Sequence, residues 1–353
     1  MFNRKLAIVD LGKNKITIEE PSLSLRKALL GGRGLNSYYL YKLLPPKVDP
    51  LSPSNILIIG TGFLTGTLAP SSSRFNSSAK SPESYILGDA NCGGFFAPEL
   101  RYAGFDRLIL KGKAKKPSYI YVEDGTIEVR NGKDYWGMDT NDVQKALRQD
   151  LGDVETLCCG VAGENLVRFA CLRTGIKNSA GRGGMGAVMG SKNVKAISVH
   201  GTNGIEISHP DKFLRYIEEL KEYLTSSKVT NILGTVGTPF LYEISNEFGA
   251  IRTKNSQLNA WAPTLNAEEI EKFVDKMKET KAPILGLSGF LTFTFDTMKG
   301  TVEALEASGL RDKMKIMIGG GQIDDKVLEY TKADAYGKDA MAAVSLAKTW
   351  LRG

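Results

Sequence analysis

Apolar residues over the first 200 positions fall into short runs separated by glycine and proline turns. Leu6-Ala7-Ile8-Val9-Asp10 and Lys15-Ile16-Thr17-Ile18 flank a glycine-containing turn, the pattern of a hairpin. Ile56-Leu57-Ile58-Ile59 is a continuous apolar run ended by Gly60-Thr61-Gly62, which predicts a buried strand. Arg107-Leu108-Ile109-Leu110 and Tyr119-Ile120-Tyr121-Val122 predict two more. The second of these turns at Glu123-Asp124-Gly125-Thr126 into Ile127-Glu128-Val129, another hairpin, and Lys195-Ala196-Ile197-Ser198-Val199 closes the region. Helical signals are fewer. Thr140-Asn141-Asp142 can cap a helix running through Leu147, with Asp142 near its positive end. The pattern is α+β, without the strand–helix alternation of a dinucleotide-binding domain.

The texture changes after His209-Pro210. Phe213, Leu214, Ile217, Leu220 and Leu224 recur at helical spacing over residues 211–224. Residues 252–266, rich in Asn, Gln, Trp and Pro, predict a connector. Then strands and helices alternate: helix 267–280, strand 284–287, helix 295–308, strand 315–318, helix 324–331, a short strand at 335–336 and helix 339–351. That predicts a parallel α/β lobe of three strands, few for a doubly wound sheet. The expected domains are 1–205, a helical segment and connector at 206–265, and the partial α/β lobe at 266–353.

Composition sharpens this picture. With 353 residues the chain can bury a large core without staples. Of its 38 glycines, 26 lie before residue 205, so the excess belongs to the first region. Two His exclude a three-His zinc site, and the only candidates for His-based catalysis are His200 and His209, both expected on the surface. Cys92, Cys158, Cys159 and Cys171 form no C-x-x-C pair, which excludes zinc-ribbon, thioredoxin and ferredoxin spacings. Cys158, Cys159 and Cys171 read as small buried hydrophobes in a reduced, cytoplasmic protein, while Cys92 falls within one of the glycine-rich segments. There is no signal-peptide core and no apolar run of 18 residues. The net charge of +7 is spread along the chain, which suits anionic ligands but marks no nucleic-acid face.

Four segments of the first region share one composition: Gly31-Gly32-Arg33-Gly34-Leu35, Gly62-Phe63-Leu64-Thr65-Gly66-Thr67, Asn91-Cys92-Gly93-Gly94-Phe95-Phe96 and Ala180-Gly181-Arg182-Gly183-Gly184-Met185-Gly186. Glycine lets the backbone approach a ligand, and arginine grips phosphate bidentately. Ser71-Ser72-Ser73-Arg74 adds hydroxyls and another guanidinium. The combination predicts a pocket for a phosphorylated polycyclic ligand; the competing reading is a set of tight turns. The G-x-x-x-x-G-K-[ST] loop is absent, and residues 181–186 fit G-x-G-x-x-G only with the third glycine shifted and without a clear preceding strand.

These segments resemble the aldehyde:ferredoxin oxidoreductases. So do Asp49-Pro50-Leu51-Ser52-Pro53, Ala79-Lys80-Ser81-Pro82, Glu99-Leu100-Arg101-Tyr102-Ala103-Gly104 and Gly163-Glu164-Asn165-Leu166-Val167-Arg168-Phe169-Ala170. The likeness covers residues 1–205, continues through 234–238 and 247–255, and ends near Trp261. It implies a two-sheet base under a tungsten (or molybdenum) bis-pterin, a 4Fe-4S cluster, aldehyde oxidation to the acid and electron transfer to ferredoxin in anaerobic metabolism. It also implies roles for single residues. Arg74, Gly93 and Arg182 would meet pterin phosphates. Gly94, Gly181 and Gly183 would line the same loops. Asn91 and Ala180 would give oxygen contacts to a bridging Mg²⁺. The family's cluster cysteines have no counterpart here, since no Cys follows residue 171, and the catalytic residues are unassigned.

The tail resembles something else. Ile284-Leu285-Gly286-Leu287-Ser288-Gly289-Phe290-Leu291-Thr292, Ile316-Met317-Ile318-Gly319-Gly320-Gly321 and Ala333-Asp334-Ala335-Tyr336-Gly337-Lys338-Asp339-Ala340 look like the second half of a cobalamin-binding domain of corrinoid methyltransferase proteins. The resemblance implies that Ser288, Gly319 and Gly320 would contact the nucleotide tail of the cofactor. The D-x-H-x-x-G segment that ligates cobalt is absent. Three readings follow. One is an incomplete aldehyde oxidoreductase, working with a second chain that carries the missing domains. One is a corrinoid- or pterin-binding protein for methyl transfer or cofactor delivery. The last is a fusion of two fragments near residue 264. A homo-oligomer is compatible with any of them.

Overall fold

The computed structural model describes residues 5–252, 257–258, 275–288, 294–320, 323–337 and 340–352. The expected connector therefore lies largely outside the described residues, as do 267–274 of the expected helix 267–280 and residues 289–293, 321–322 and 338–339. The chain divides into two compact units, Met1–Ile217 and Glu218–Gly353.

The first unit holds two six-stranded sheets. One is ordered β2-β1-β6-β3-β4-β5 and is built from β1 (Lys5–Asp10), β2 (Lys15–Glu19), β3 (Leu57–Thr61), β4 (Phe75–Lys80), β5 (Leu87–Cys92) and β6 (Phe105–Lys111). The other is ordered β11-β10-β9-β12-β7-β8, from β7 (Ser118–Glu123), β8 (Thr126–Asn131), β9 (Glu155–Cys159), β10 (Leu172–Thr174), β11 (Asn178–Ala180) and β12 (Val194–His200). Both expected hairpins form: β1 pairs antiparallel with β2, and β7 with β8. The main core joins the inner faces, with Leu57, Ile59, Leu108 and Leu110 of one sheet meeting Ile120, Val122, Leu157 and Ile197 of the other. Helices α3 (Phe96–Tyr102) and α6 (Met185–Ser191) contribute Phe96, Leu100, Val188 and Met189 to it. Phe96 meets Phe75 edge-to-face at 5.5 Å between ring centres.

Each outer face carries a helix. Leu40 of α2 (Gly32–Leu43) packs on Leu6, Ile58 and Ile109, following the short α1 (Leu23–Leu29). Val143 and Leu147 of α4 (Thr140–Leu151) cover Tyr119, Tyr121, Cys158 and Ala196. The cap of α4 falls earlier than the sequence suggests. Asp139 Oδ1 accepts from the amides of Asn141 at 2.7 Å and Asp142 at 2.9 Å.

The polar strands β4 and β5 escape the apolar-run reading because their outer-face side chains form a buried hydrogen-bond network. Arg107 Nε donates to Asn36 Oδ1 at 2.7 Å, and Asn36 Nδ2 donates to the Asn76 carbonyl at 2.9 Å and to Ser78 Oγ at 3.1 Å. Gly60 stands between Arg107 and Asn76 in the sheet register. A Cβ there would collide with Asn36 Oδ1 and lie 2.7 Å from an Arg107 guanidinium nitrogen. Only glycine leaves room for this bond.

A second buried basic side chain ties the loops of the first sheet to the second. Lys192, at the end of α6, is fully buried and donates to the carbonyls of Asn55 at 2.5 Å and Gly112 at 3.1 Å. α5 (Val161–Glu164) packs on α6, and its Glu164 pairs with buried Lys195 at 2.5 Å.

The second unit takes in the end of α7 (Pro210–Ser226), then α8 (Lys228–Val236), α9 (Tyr242–Glu247) and the helical residues 275–280 (α10). After these come β13 (Ile284–Ser288), α11 (Thr294–Ala307), β14 (Lys315–Gly319), α12 (Asp325–Thr331), β15 (Ala335–Gly337) and α13 (Ala340–Arg352). The three strands pair in parallel in the order β13-β14-β15, as the alternation predicts. Leu285, Val302, Leu305 and Ile316 form their core.

Two outcomes test these constraints. Gly60→Ala should lower unfolding stability by about 1 to 3 kcal/mol through overpacking, read as a fall in Tm. Burial pushes Lys192 from 10.5 down to about 7. Between those values the unfolded chain holds a proton that the native state has shed, so this lysine makes stability rise with pH. Denaturant titration should show the stability of wild type relative to Lys192→Met increasing from about pH 7 towards 10.5. A pH-independent difference would refute it.

Candidate functional site

The β5 and β11 strands lie at the edges of their sheets and against each other. This junction gathers the glycine segments. Phe75 pairs with Cys92 in the β4–β5 register, which sets Arg74 beside Cys92 and Gly93. Asn91 is the last but one residue of β5, exposed and opposite Asn76, whose Nδ2 donates to Asn91 Oδ1 at 3.3 Å. Gly94 has φ +100, and a Cβ there would lie 2.9 Å from the Asn178 amide at the start of β11. Ala180 ends β11 and is buried; Gly181 and Arg182 follow it, both exposed. Nothing lies within 4 Å of where a Cβ on Gly181 would stand. Gly183 folds back onto β5, with its Cβ position 3.2 Å from Gly88 Cα.

The other two glycine segments join from the α2 side. Arg33 pairs with Asp89 of β5, its Nη2 donating to Oδ1 at 3.1 Å. Gly31 abuts the backbone of Thr61 and Phe63, and Thr65 Oγ1 donates to the Arg74 carbonyl at 3.2 Å. The loop 181–186 follows strand β11 and leads into α6, contrary to the sequence reading that no clear strand precedes it. That strand is three residues long and polar, so it carries no apolar run. It belongs to an antiparallel hairpin with β10 rather than to a βαβ unit.

Asp89, Asn76 and Asn36 escape the sequence reading altogether. Asn76 Nδ2 reaches Asp89 Oδ1 at 3.2 Å, which links the buried network to the Arg33 pair. The alternation of Asn76 and Ser78 with Phe75 and Ser77, facing Asp89 and Asn91, is the signal that could have found them. His200 Nδ1 lies 2.8 Å from the Asp153 carbonyl and 3.7 Å from Glu99, at the end of β12.

The arrangement suits an anionic ligand with oxygen-rich phosphates. Arg74 and Arg182 are exposed, Arg168 stands over the Tyr85 ring at 5.5 Å, and open glycine backbone lies between the two strand edges. It does not suit an iron–sulfur cluster. Cys92, Cys158 and Cys159 are buried. Burial raises the thiols of Cys92 and Cys159 to about 12 and raises that of Cys158 as well. No group of three or more His, Cys, Asp or Glu able to hold a metal occurs among the described residues.

In the second unit, Ser288, Gly319 and Gly337 form a row across the carboxyl ends of the three parallel strands. Gly320 follows with φ +142. This is the end at which parallel α/β sheets take ligands.

Comparison with known proteins now decides the family. The profile described as aldehyde ferredoxin oxidoreductase, N-terminal domain, matches residues 6–201. The chain belongs to the aldehyde ferredoxin oxidoreductase family. It is 43% identical over 256 residues to the tungsten-containing aldehyde ferredoxin oxidoreductase of Pyrococcus furiosus, covering 72% of this chain and 42% of that protein. The chain thus spans less than half the length of the curated relatives it matches at this level. Among solved structures it resembles the active site complex BamBC of benzoyl coenzyme A reductase in complex with 1,5-dienoyl-CoA. There the TM-score is 0.66 and the identity 30%, covering 78% of this chain and 44% of that one. The tail resembles corrinoid proteins, as its sequence suggests: it is 38% identical over 82 residues to the dimethylamine corrinoid protein of Methanosarcina barkeri, covering 23% of this chain. No helix among the described residues is long and apolar enough to cross a membrane.

The burial of the thiols has a direct readout. In native protein, iodoacetamide should label Cys171 at most, and all four cysteines after unfolding, as counted by mass spectrometry. Rapid native labelling of Cys158 or Cys159 would contradict the assignment of these thiols as core residues.

Proposed function

We propose that this chain supplies one wall of a tungsten or molybdenum bis-pterin site for aldehyde oxidation to the carboxylic acid, with ferredoxin as acceptor. A second chain would carry the remaining parts. The observation that carries this reading is the convergence of Arg74, Arg182 and the open backbone at Gly93, Gly94, Gly181 and Gly183 on the β5–β11 junction. It supports the reading because guanidinium forks and unshielded amides are what a pterin phosphate needs.

Within this proposal, Arg74 and Arg182 would hold phosphates, and the backbone carbonyls of Asn91 and Ala180 would give oxygen to Mg²⁺. The glycines keep the backbone close to the ligand. When bound, the metal centre supplies the two-electron oxidation of the aldehyde. The chain's own share is binding and positioning. Asp89 holds Arg33 at the β5 edge, and the Asn76 amide steadies both Asp89 and Asn91. The four cysteines do not fit a 4Fe-4S cluster, so the electron path is not assigned to this chain. A cytoplasmic, anaerobic setting follows from this chemistry.

A second role rests on the Ser288–Gly319–Gly337 row and the corrinoid-protein likeness of the tail. Ser288, Gly319 and Gly320 would line the path of a cobalamin nucleotide tail.

The full chain, produced anaerobically with tungstate or molybdate, should retain metal and pterin through gel filtration. Arg74→Ala combined with Arg182→Ala should reduce the retained metal by about tenfold or more, as expected for lost charge-assisted hydrogen bonds. A cobalamin absorbance band without pterin would instead support the corrinoid reading. Neither cofactor, even after co-production with the neighbouring gene product, would overturn both.

A further inference from the structure

Helices α8 and α9 are apolar in sequence yet uncovered in the fold. Val229, Ile232 and Leu233 recur at i, i+3 and i+4 along α8. Leu241, Ile244 and Phe248 recur at i, i+3 and i+7 through α9 and its two ends. Such spacing marks the face that a helix turns to its neighbours. Here all six side chains are exposed, at 41–82%. Every residue from Lys228 to Thr235 is exposed. No charged residue occurs from Val229 to Tyr242, so beyond Lys228 at its start α8 has no charged face to give to water. Both helices pack on the short turn Thr238–Leu241, so one stripe follows the other across it. Single exposed apolar side chains are ordinary on a surface, whereas consecutive stripes mark an interaction face.

The relatives indicate what this face lacks. The match to the Pyrococcus furiosus enzyme takes in 72% of this chain, so it runs past Phe248 wherever it begins. Helices α8 and α9 therefore belong to the family portion of the chain. That portion corresponds to 42% of the full relative, and more than half of the relative lies outside the match. After α9 this chain leads instead into the lobe that resembles corrinoid proteins, and the two stripes are exposed with that lobe in place.

We propose that the stripes of α8 and α9 are the docking surface for a separate polypeptide carrying the remaining portion of the aldehyde ferredoxin oxidoreductase family. Its matching face is apolar, because an uncharged surface offers a charged one nothing to pair with and burial of apolar area drives the association. Ile232 and Phe248, one from each stripe, are the anchors. This surface rests on the two-chain reading of the function, and its test is run without cofactor so that the two can fail separately.

The full chain is co-produced with the unmatched portion of the Pyrococcus furiosus enzyme, without added tungstate or molybdate. A one-to-one complex should survive gel filtration, and amide exchange in α8 and α9 should slow by about tenfold or more within it. Ile232→Glu combined with Phe248→Glu should weaken the complex by about thirtyfold or more, since a few buried anchors carry most of the energy of an interface. Both positions are exposed in the chain by itself, so its Tm should be unchanged. Tyr41→Glu, at an 88% exposed ring on α2, should leave the complex as it is. A complex that the double variant leaves intact, or in which α8 and α9 exchange as before, overturns this surface while the second chain stands. No complex overturns the surface as well, and retention of metal and pterin, measured separately, decides the cofactor site. A wild-type dimer that the double variant turns into a monomer gives the surface to a second copy and overturns the proposal. Should the double variant fail to fold, amide exchange in the wild-type complex decides alone.

Discussion

The hydrogen bond from Arg107 to Asn36, passing over Gly60, is the constraint on which the first unit depends. It places a buried guanidinium beneath α2 and gives Asn36 a fixed orientation. Asn36 then orders Asn76 and Ser78, and Asn76 orders Asp89 and Asn91. A chain of polar contacts thus runs from the middle of the sheet to its β5 edge. Buried networks of this kind stabilise only when every member is satisfied. The geometry of the edge is therefore inherited from a residue three strands away.

The same network explains what the sequence conceals. Strands β1, β3, β6, β7 and β12 are legible because their buried faces are apolar, and periodicity reports apolar burial. The sequence of β4, Phe-Asn-Ser-Ser-Ala-Lys, carries no apolar run, yet all but its last residue are buried. Its stability comes from partners up to 42 positions distant, such as Asn36 to Ser78, which no local window contains. The tail shows the reverse case. Its strands and helices alternate with ordinary binary patterning, so β13, β14, β15, α11 and α12 fall close to where the pattern places them.

The candidate site was partly legible for a related reason. Glycine clusters and their arginines advertise themselves in sequence, and the fold brings Arg74, Asn91, Gly93, Gly94, Ala180, Gly181, Arg182 and Gly183 to one junction. The supporting residues do not advertise themselves. Asp89 and Asn76 are common polar types whose meaning depends on which neighbour faces them. Ser288 and Gly319 are likewise brought into one row by the register of β13 on β14, a fact of pairing rather than of composition.

The meeting of β5 with β11 has a consequence for how the first unit behaves in solution. An open sheet has two edges, and each is a template for adding a strand from another molecule. Here one edge of each sheet is turned against the other. The edges left over are β2 and β8. β2 carries Lys15 and Glu19, and β8 carries Glu128 and Arg130, joined to each other by a 2.7 Å ion pair. Charges of both signs on the outermost strands discourage edge-to-edge growth. A twelve-stranded unit is thereby guarded against aggregation at both of its remaining margins.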